Sequence, residues 1–458
     1  MKVGRIHKAY FIGIGGIGMS ALARHFHANN AEVSGYDKTE TEITKRLIEE
    51  GISVYYDEDI NRIPKDVDLV VYTPAIPDTH EELSYYRQHD FPVMKRAEVL
   101  GNFSKSYTTV AVAGTHGKST VTSMIAHLLK DTDYDCTAFM GAISNNYESN
   151  YLQGFNDLMV VEADEFDRSF LQLETDHVII TSVDADHLDI YSDSNEFEKS
   201  FVEFSNKIHK EGSLSFQSSI ALDFGNQMQE RTSYSLKDET ADCYLSDHRY
   251  ENGVQVFSFM LEGEQYKDFK LDIGGLYNVE NMLAAITLCN NIGLDPEFIR
   301  DSVESYRGLK RRFDKVHEAD ELVYIDDYAH HPTELNALIE SIRSMYPGRK
   351  LTMIFQPHLF SRTRDFADEF ANSLGKVDEV LIMPIYPARE APIDGIDSKW
   401  LIEKISIEKK KLVEAGKLVE AIDWDKTEVL VTAGAGDIDR EVSRLYNHIK
   451  HNDAEILE

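Results

Sequence analysis

Short apolar runs alternate with longer helical patterns along the N-terminal part of the chain. The runs are too short to be helices, and glycine or polar residues separate them. This rhythm is typical of parallel strands joined by helices that cover both faces of a sheet. The pattern predicts a helix at 19–28 and strands at 9–12, 32–36, 69–73 and 92–94.

The same alternation of short apolar runs and helical patterns occurs twice more along the chain. A polar stretch at 102–107 reads as a linker, and alternating residues with turn signals at 213–269 predict some antiparallel strands. These patterns predict an α/β fold with three segments. The remaining predicted elements are helices at 121–129, 277–289 and 365–373, and strands at 108–113, 158–161, 178–182, 322–325, 351–355, 379–383 and 428–432.

Length and charge narrow the class of protein. The chain has 458 residues, and its 80 acidic and 47 basic residues give a formal net charge of −33. Such a charge argues against nonspecific binding of nucleic acid or anionic membranes. No apolar run approaches the ~20 residues of a membrane span, and the N-terminus lacks a signal-peptide pattern. We therefore expect a cytoplasmic monomer or homodimer that acts on small molecules.

The segment between the predicted strand at 108–113 and the predicted helix at 121–129 carries the strongest motif. Backbone N–H groups at a helix N-terminus attract anions, and a lysine adds a point charge for the β- and γ-phosphates. A serine or threonine hydroxyl can bind Mg²⁺. The residues that predict an ATP phosphate site are Gly114, Thr115, His116, Gly117, Lys118, Ser119 and Thr120.

A second glycine-rich turn, at 13–18, follows the first predicted strand and opens a helix. Asp37 ends the next strand, where a ribose-binding acid lies in dinucleotide folds. The turn predicts a pyrophosphate site. The pyrophosphate could belong to a nicotinamide cofactor, as in a dehydrogenase, or to a nucleotide sugar.

Acidic and basic residues follow several other predicted strands. Glu162 begins an acidic stretch at 162–165, and His187 lies in another at 184–189. Ligands bind beyond the carboxyl ends of parallel strands, so these residues are candidate metal ligands. Arginines at 311–312 can bind phosphate. Asp326, Asp327, His330 and His331 form a further cluster, for which zinc is an alternative, and His358 and Arg362 can bind a carboxylate.

These motifs, in this order, resemble the Mur ligases, the ATP-dependent amide-bond ligases that build the peptidoglycan stem peptide. The segments that carry the resemblance are 13–20, 114–120, 162–165, 184–189, 277–281, 311–313, 326–334 and 355–358. The resemblance implies a Rossmann-like domain for the uridine nucleotide at 1–105, a central P-loop ATPase-like domain at 106–312 and a Rossmann-like amino-acid domain at 313–458.

The resemblance also implies an activity and a set of residue roles. The expected reaction joins UDP-N-acetylmuramate to L-alanine through an acyl phosphate, with ATP and Mg²⁺. The sister reaction, with a recycled tripeptide, is the alternative. Leu359 replaces an arginine common in the alanine-adding branch, whereas 186–191 favours that branch.

The implied roles fall into five groups. Lys118, Glu162, His187, Arg312 and Asp327 are catalytic. Asn278, Asn281, Arg311, Arg312, Asp326 and His331 join 114–120 in binding ATP. Gly15, Gly16, Ile17, Gly18, Asp37 and Arg96 bind the UDP-sugar. His358 and Arg362 bind the amino acid, and Ser119, Glu162 and His187 hold the metal.

Overall fold

The computed structural model describes residues 6–130, 132–184, 194–225, 227–228, 230–388 and 390–456. The chain forms two compact units. The first comprises the chain as far as Asp247, together with Phe257–Phe269 and Val279–Tyr306. The second comprises His248–Val256, Lys270–Asn278 and the chain from Arg307 onward.

The N-terminal part of the first unit is a parallel five-stranded sheet with the order β3-β2-β1-β4-β5. This is the order of a dinucleotide-binding fold, in which ligands bind where the strand order reverses. The strands are β1 (Lys8–Ile12), β2 (Glu32–Tyr36), β3 (Ser53–Tyr55), β4 (Leu69–Tyr72) and β5 (Val93–Lys95). The helices are α1 (Ile17–Ala28), α2 (Glu42–Glu49), α3 (Glu81–Gln88) and α4 (Arg96–Ser104).

The central sheet has ten strands, in the order β15-β14-β13-β12-β11-β10-β6-β9-β7-β8. Its strands are β6 (Thr108–Ala113), β7 (Thr137–Ser144), β8 (Ser149–Leu152), β9 (Leu158–Glu162), β10 (Thr175–Ile180), β11 (Ile208–Gln217), β12 (Glu230–Ser235), β13 (Cys243–Glu251), β14 (Val254–Leu261) and β15 (Glu264–Leu271). Its helices are α5 (Lys118–Lys130), α6 (Ser194–Ser205), α7 (Leu276–Asn291) and α8 (Arg300–Ser305).

The expected antiparallel strands occur only in part of the region 213–269. β11 and β12 are parallel to β10, and β13 is parallel to β12. The following neighbours, β13 to β15, are joined by two-residue turns whose residues all have positive φ: Asn252 at 50°, Gly253 at 78°, Glu262 at 51° and Gly263 at 87°. Such turns match the twist of antiparallel hairpins.

The second unit contains a six-stranded sheet with the order β16-β17-β21-β18-β19-β20, in which only β16 runs antiparallel to its neighbour. Its strands are β16 (Asp314–Glu318), β17 (Val323–Asp327), β18 (Leu351–Phe355), β19 (Glu379–Ile382), β20 (Lys410–Leu412) and β21 (Val429–Ala433). Its helices are α9 (Pro332–Met345), α10 (Phe360–Asp365), α11 (Ala367–Leu374), α12 (Ser398–Lys404), α13 (Leu418–Ala421) and α14 (Asp439–Ile456).

Two sequence predictions differ from the structure. The segment expected to be a linker is partly helical, because α4 continues to Ser104 and buries Val99 and Leu100. The helix expected at 365–373 is two helices, which separate at Phe366 (φ −119°, ψ 24°). The described helices include none that combines the length and apolarity needed to cross a membrane.

Candidate functional site

The predicted phosphate loop connects β6 to α5 at the carboxyl edge of the central sheet. Gly114 and Gly117 have φ values of 130° and 81°, which favour glycine. A Cβ on Gly114 would lie 2.8 Å from the backbone nitrogen of Ser182, so the neighbouring strand end also requires glycine there. The His116 amide donates to Ser182 Oγ at 3.0 Å. The loop is therefore held against the end of β10.

Lys118 begins α5 and points back into its own loop. Its Nζ donates to the Gly114 carbonyl at 2.7 Å and to Glu165 Oε1 at 2.8 Å. Glu165 is 1% exposed. Burial raises the pKa of the Glu165 carboxyl, and the charge of Lys118 opposes that rise. The ammonium that the sequence assigned to ATP phosphates thus lies between the loop and a buried acid.

The candidate metal ligands are only partly described. Ser119 is buried in the first turn of α5, and Glu162 ends β9 with its carboxylate against Gly141 of β7. His187 lies outside the described residues. Within the described ranges, no three His, Cys, Asp or Glu side chains are grouped closely enough to hold a metal. Among the described residues, the predicted metal ligands are therefore two oxygen donors, the Ser119 hydroxyl and the Glu162 carboxylate.

A cavity of about 480 Å³ adjoins the phosphate loop in the first unit. Thr181, Ser182, Gln217 and Glu280 are among its lining residues, and Gln217 Nε2 donates to Glu280 Oε1 at 3.2 Å. Asn281, also on α7, lies so close to the loop that a Cβ on Gly117 would be 2.6 Å from its Oδ1. Asn278 instead donates to the Gly274 carbonyl at 2.6 Å and is buried.

The N-terminal glycine turn is stabilised by the acid that was expected to bind ribose. Asp37 Oδ2 accepts a hydrogen bond from the Gly15 amide at 2.8 Å, and Asp37 Oδ1 accepts from Thr39 at 3.2 Å. The Gly13 and Ile14 amides donate to the Tyr36 carbonyl at 2.7 and 2.9 Å. Asp37 thus stabilises the glycine turn through its own hydrogen bonds.

Arg96 connects this turn to the acidic stretch of the central sheet. Its side chain lies against α1, where a Cβ on Gly18 would be 3.0 Å from both Arg96 Cδ and Nη1. Its Nη2 is 3.6 Å from Asp164 Oδ2. Arg96, which was expected to bind the UDP-sugar, therefore pairs with the residue next to Glu165, the acid that binds Lys118.

The second unit places Arg311 beside Asp326. Arg311 Nε donates to Asp326 Oδ2 at 3.3 Å, and its Nη2 donates to the Gly434 carbonyl. Thr432 Oγ1 donates to Asp326 Oδ1 at 2.6 Å. Burial raises the pKa of Asp326 to about 7, although Arg311 favours the ionised form.

Asp327 and the two arginines shape the adjoining loop. Asp327 accepts hydrogen bonds from the Phe313 and Ala329 amides, both at 2.7 Å. Burial raises the pKa of Asp327, and these amides oppose that rise. The guanidinium groups of Arg311 and Arg312 lie 5.3 and 5.4 Å from the centre of the Tyr328 ring. These four charged residues thus belong to one cluster.

The candidate amino-acid residues lie after β18. His358 stacks on Tyr386, and its ring centre is 5.8 Å from that of His330. Burial, together with the nearby His330, lowers the pKa of His358 to about 4. His358 Nδ1 and Arg362 Nη1 are buried atoms without a hydrogen-bond partner among the residues described. His331 caps α9, where its Nδ1 accepts from Thr333 at 3.4 Å.

Sequence reasoning missed two residues of the site. Glu165 lies in the acidic stretch at 162–165, but nothing in the spacing shows that Glu165, rather than Glu162, reaches Lys118. Asn150, in a segment without any motif, is completely buried and donates to the Ile17 carbonyl at the start of α1, next to the N-terminal glycine turn. Only contacts in the folded chain distinguish these residues.

Comparisons with known proteins match nearly the whole chain. Three family models match: "Mur ligase family, catalytic domain" at 8–108, "Mur ligase middle domain" at 112–289 and "Mur ligase, glutamate ligase domain" at 311–438. The UDP-N-acetylmuramate–L-alanine ligase of Flavobacterium johnsoniae is 44% identical over 456 residues, which cover 99% of this chain and 100% of that protein.

Solved structures agree with this assignment. The UDP-N-acetylmuramate–alanine ligase of Thermotoga maritima superposes with a TM-score of 0.85 and 28% identity, over 97% of this chain and 99% of that chain. A murein peptide ligase from Psychrobacter arcticus reaches a TM-score of 0.69 at 20% identity, over 96% and 98%, and shares the fold alone. The resemblance inferred from the motifs and the three-domain α/β fold class are confirmed, and the chain belongs to the Mur ligase family.

Proposed function

We propose that this protein joins the carboxylate of UDP-N-acetylmuramate to the amino group of L-alanine, with ATP converted to ADP and phosphate. The observation that carries the proposal is that both glycine turns lie in one unit and are linked through one acidic stretch. Arg96 packs against Gly18 of the first turn and pairs with Asp164, and the neighbouring Glu165 binds Lys118 of the second turn. One turn suits the pyrophosphate of a sugar nucleotide, and the other suits the phosphates of ATP. The alanine ligases that match along the whole chain support the choice of substrates.

The chemistry explains why two nucleotides are needed. A carboxylate reacts poorly with an amine because its oxygen is a poor leaving group. Transfer of the γ-phosphoryl group of ATP to the muramoyl carboxylate gives an acyl phosphate and ADP. The amine of alanine then attacks the carbonyl carbon, and phosphate leaves. Lys118 would neutralise charge on the transferred phosphoryl group.

Ser119 and Glu162 are the described residues that would hold Mg²⁺. Both offer oxygen, which Mg²⁺ prefers, and a site of one carboxylate, one hydroxyl, water and ATP phosphates is ordinary for this ion. Bound there, the ion would neutralise phosphate charge. His187, which lies outside the described ranges, is proposed as a further residue of the metal site.

Further roles follow from the local geometry of each unit. The cavity beside Ser182 and Glu280 suits the nucleoside part of ATP, with Asn281 next to the phosphate loop. The buried Arg362 nitrogen suits the carboxylate of the amino acid, with His358 beside it. Arg311, Arg312, Asp326, Asp327, Asn278 and His331 are proposed to serve ATP, and Asp37 and Arg96 the sugar nucleotide.

The two alternatives are less favoured. The tripeptide-recycling reaction belongs to a branch whose structural relative has the lower TM-score, 0.69 against 0.85. A nicotinamide-dependent dehydrogenase would leave the phosphate loop without a role, and the N-terminal sheet lies within the Mur ligase match. We propose action in the cytoplasm, where ATP and nucleotide sugars are available, as a monomer or homodimer.

A phosphate-release assay tests this proposal. UDP-N-acetylmuramate is supplied with L-alanine, L-serine, glycine or the tripeptide, and L-alanine is expected to give the highest kcat/KM. Lys118→Ala is expected to lower kcat on the order of a hundredfold to a thousandfold, because charge stabilisation is lost. Lys105→Ala, at an exposed residue, is the control. Phosphate release without the sugar nucleotide, or fastest with the tripeptide, would overturn the proposal.

A further inference from the structure

The Lys118 ammonium is surrounded by three oxygen atoms at unequal distances. Nζ lies 2.7 Å from the Gly114 carbonyl, 2.8 Å from Glu165 Oε1 and 3.4 Å from the Thr115 carbonyl. An ammonium has three donors. Two are used in short hydrogen bonds, and the third makes only a long one. Lys118 can therefore exchange one partner while keeping two.

The acid in this arrangement is rigidly placed. Glu165 lies directly before a short 3₁₀ helix, Phe166–Gln172, and its carbonyl accepts from the Arg168 amide at 3.0 Å. The Asp164 carbonyl accepts from the Phe170 amide at 2.9 Å. The side chains of Lys118 and Glu165 are 14% and 1% exposed. A displaced carboxylate would therefore have no open solvent around it.

Stability alone does not account for such a pair. Removing two charges from water costs about as much as their attraction returns, so a buried ion pair is weak evidence for stabilisation. The other two acids of the stretch face different partners: Asp164 lies near Arg96, and Glu162 lies against Gly141. Within this stretch, Glu165 is thus the acid that reaches Lys118.

We propose that Glu165 is a positioning residue for the phosphate-binding lysine. Together with the Gly114 carbonyl it fixes the Lys118 ammonium, so that the third N–H is presented to a phosphate oxygen of ATP in exchange for the Thr115 carbonyl. Glu165 acts through Lys118 and does not contact the nucleotide. This inference rests on the proposed use of ATP by the same loop.

The test compares Glu165→Ala with Glu165→Gln in the full chain. Glu165→Ala removes the acceptor, and kcat is expected to fall roughly tenfold to a hundredfold because small displacements of a catalytic group are costly. The KM for ATP rises, and the KM for UDP-N-acetylmuramate stays within about twofold. Glu165→Gln keeps an oxygen within reach of Lys118, so it recovers much of the loss.

Controls separate positioning from a purely structural role. Glu203→Gln, at an exposed residue of α6, is expected to behave as wild type. Unchanged kcat and ATP KM in Glu165→Ala would overturn the inference. So would a Glu165→Gln variant that is no better than Glu165→Ala, or equal rises in both KM values. If Glu165→Ala does not fold, a weaker-than-wild-type affinity of Glu165→Gln for a fluorescent ATP analogue supports the inference, and an unchanged affinity rejects it.

The same analogue distinguishes this inference from the proposed function. A wild-type protein that binds the analogue but releases no phosphate with UDP-N-acetylmuramate and L-alanine would reject the substrates, while the variants would still test Glu165 by affinity. A wild-type protein that is active with these substrates, with Glu165→Ala equally active, would reject the role of Glu165 alone.

Discussion

Buried carboxylates recur at the carboxyl ends of strands in this protein. Glu165 follows β9, and Asp326 and Asp327 end β17. Burial raises the pKa of all three, and each has a cation or backbone amides opposing that rise. Such groups make the ionised state costly in the folded chain. Because two of these carboxylates lie beside Lys118 and Arg311, we infer that they serve function rather than stability.

The raised pKa of Asp326 predicts how stability depends on pH. The folded pKa is about 7 against an ordinary 3.8, so between these values the unfolded chain releases a proton that the folded chain keeps. Folding stability attributable to Asp326 therefore falls as pH rises through this window, by at most roughly 1.4 kcal/mol per pH unit. Asp326→Asn, which cannot ionise, is expected to gain thermal stability relative to wild type from pH 5 to pH 7 and to show a constant difference above pH 8.

The comparison of midpoints at each pH isolates this group, because the other titrating residues are shared by both proteins. Any constant cost of replacing the Thr432 and Arg311 contacts shifts the difference equally at every pH. Thr427→Val, which changes another buried threonine, is a control that should show no pH-dependent difference. A flat difference for Asp326→Asn from pH 5 to pH 8 would show that Asp326 titrates at its ordinary pKa.

At the scale of elements, the sequence predicted where strands lie along the chain better than it predicted which strands pair with each other. The strands at 32–36, 108–113 and 351–355 occur with the predicted bounds, because each is a short segment bounded by residues that favour turns or helix starts. The parallel pairing of β10 with β11 and of β11 with β12 brings together residues that are distant in sequence, which no local pattern records. The Asn252–Gly253 turn carries a hairpin signal, and some antiparallel strands were expected in this region.

For the candidate site residues too, the sequence predicted the position along the chain but not the contacts of the side chain. Glycine turns with a following lysine could be found by spacing, and the structure places Lys118 at the start of α5. The pairing of Lys118 with Glu165, the cap formed by His331 and the turn held by Asp37 all depend on side-chain direction. Sequence periodicity does not determine the direction of a loop side chain.

One buried side chain of the central sheet, Asn150, makes several hydrogen bonds to α1. Asn150 of β8 donates to the Ile17 carbonyl and to Ser20 Oγ at 3.1 Å, and accepts from Arg24, which also pairs with Glu50 at 2.7 Å. Asn150→Ala leaves the Arg24 guanidinium, in a residue 6% exposed, without that acceptor. We expect a loss of about 2–4 kcal/mol in stability.

Because α1 begins at the N-terminal glycine turn, Asn150→Ala should also affect one substrate more than the other. The KM for UDP-N-acetylmuramate is expected to rise several-fold, with the KM for ATP nearly unchanged. Asn61→Ala, at an exposed residue between β3 and β4 of the N-terminal sheet, should change neither value. Equal rises in both KM values would show a general loss of structure rather than a displaced turn.

At the scale of the whole molecule, each unit has a cluster of buried apolar residues of its own. One cluster of buried residues unites the N-terminal sheet with the central one, and Phe11, Phe139 and Phe170 are among its members. Ile325, Phe355 and Phe370 belong to a cluster in the second unit. The chain divides into two compact units, and the second includes two segments from within the predicted central domain. We expect unfolding to follow the units, with the N-terminal sheet and the central domain opening together.

Both tryptophans of the chain, Trp400 and Trp424, lie in the second unit, so tryptophan fluorescence reports its unfolding alone. Calorimetry should show two transitions, and fluorescence should follow one of them.

Phe170→Leu and Phe370→Leu are a matched pair of substitutions of fully buried rings, each expected to lower the stability of its unit by about 1–3 kcal/mol. Phe370→Leu should lower the midpoint seen by fluorescence. Phe170→Leu should lower only the other midpoint and speed hydrogen exchange in both β1 and β6, because one core supports both strands. Faster exchange confined to β6 would show that the N-terminal sheet unfolds separately, and equal shifts of both midpoints would show that the chain unfolds as one body.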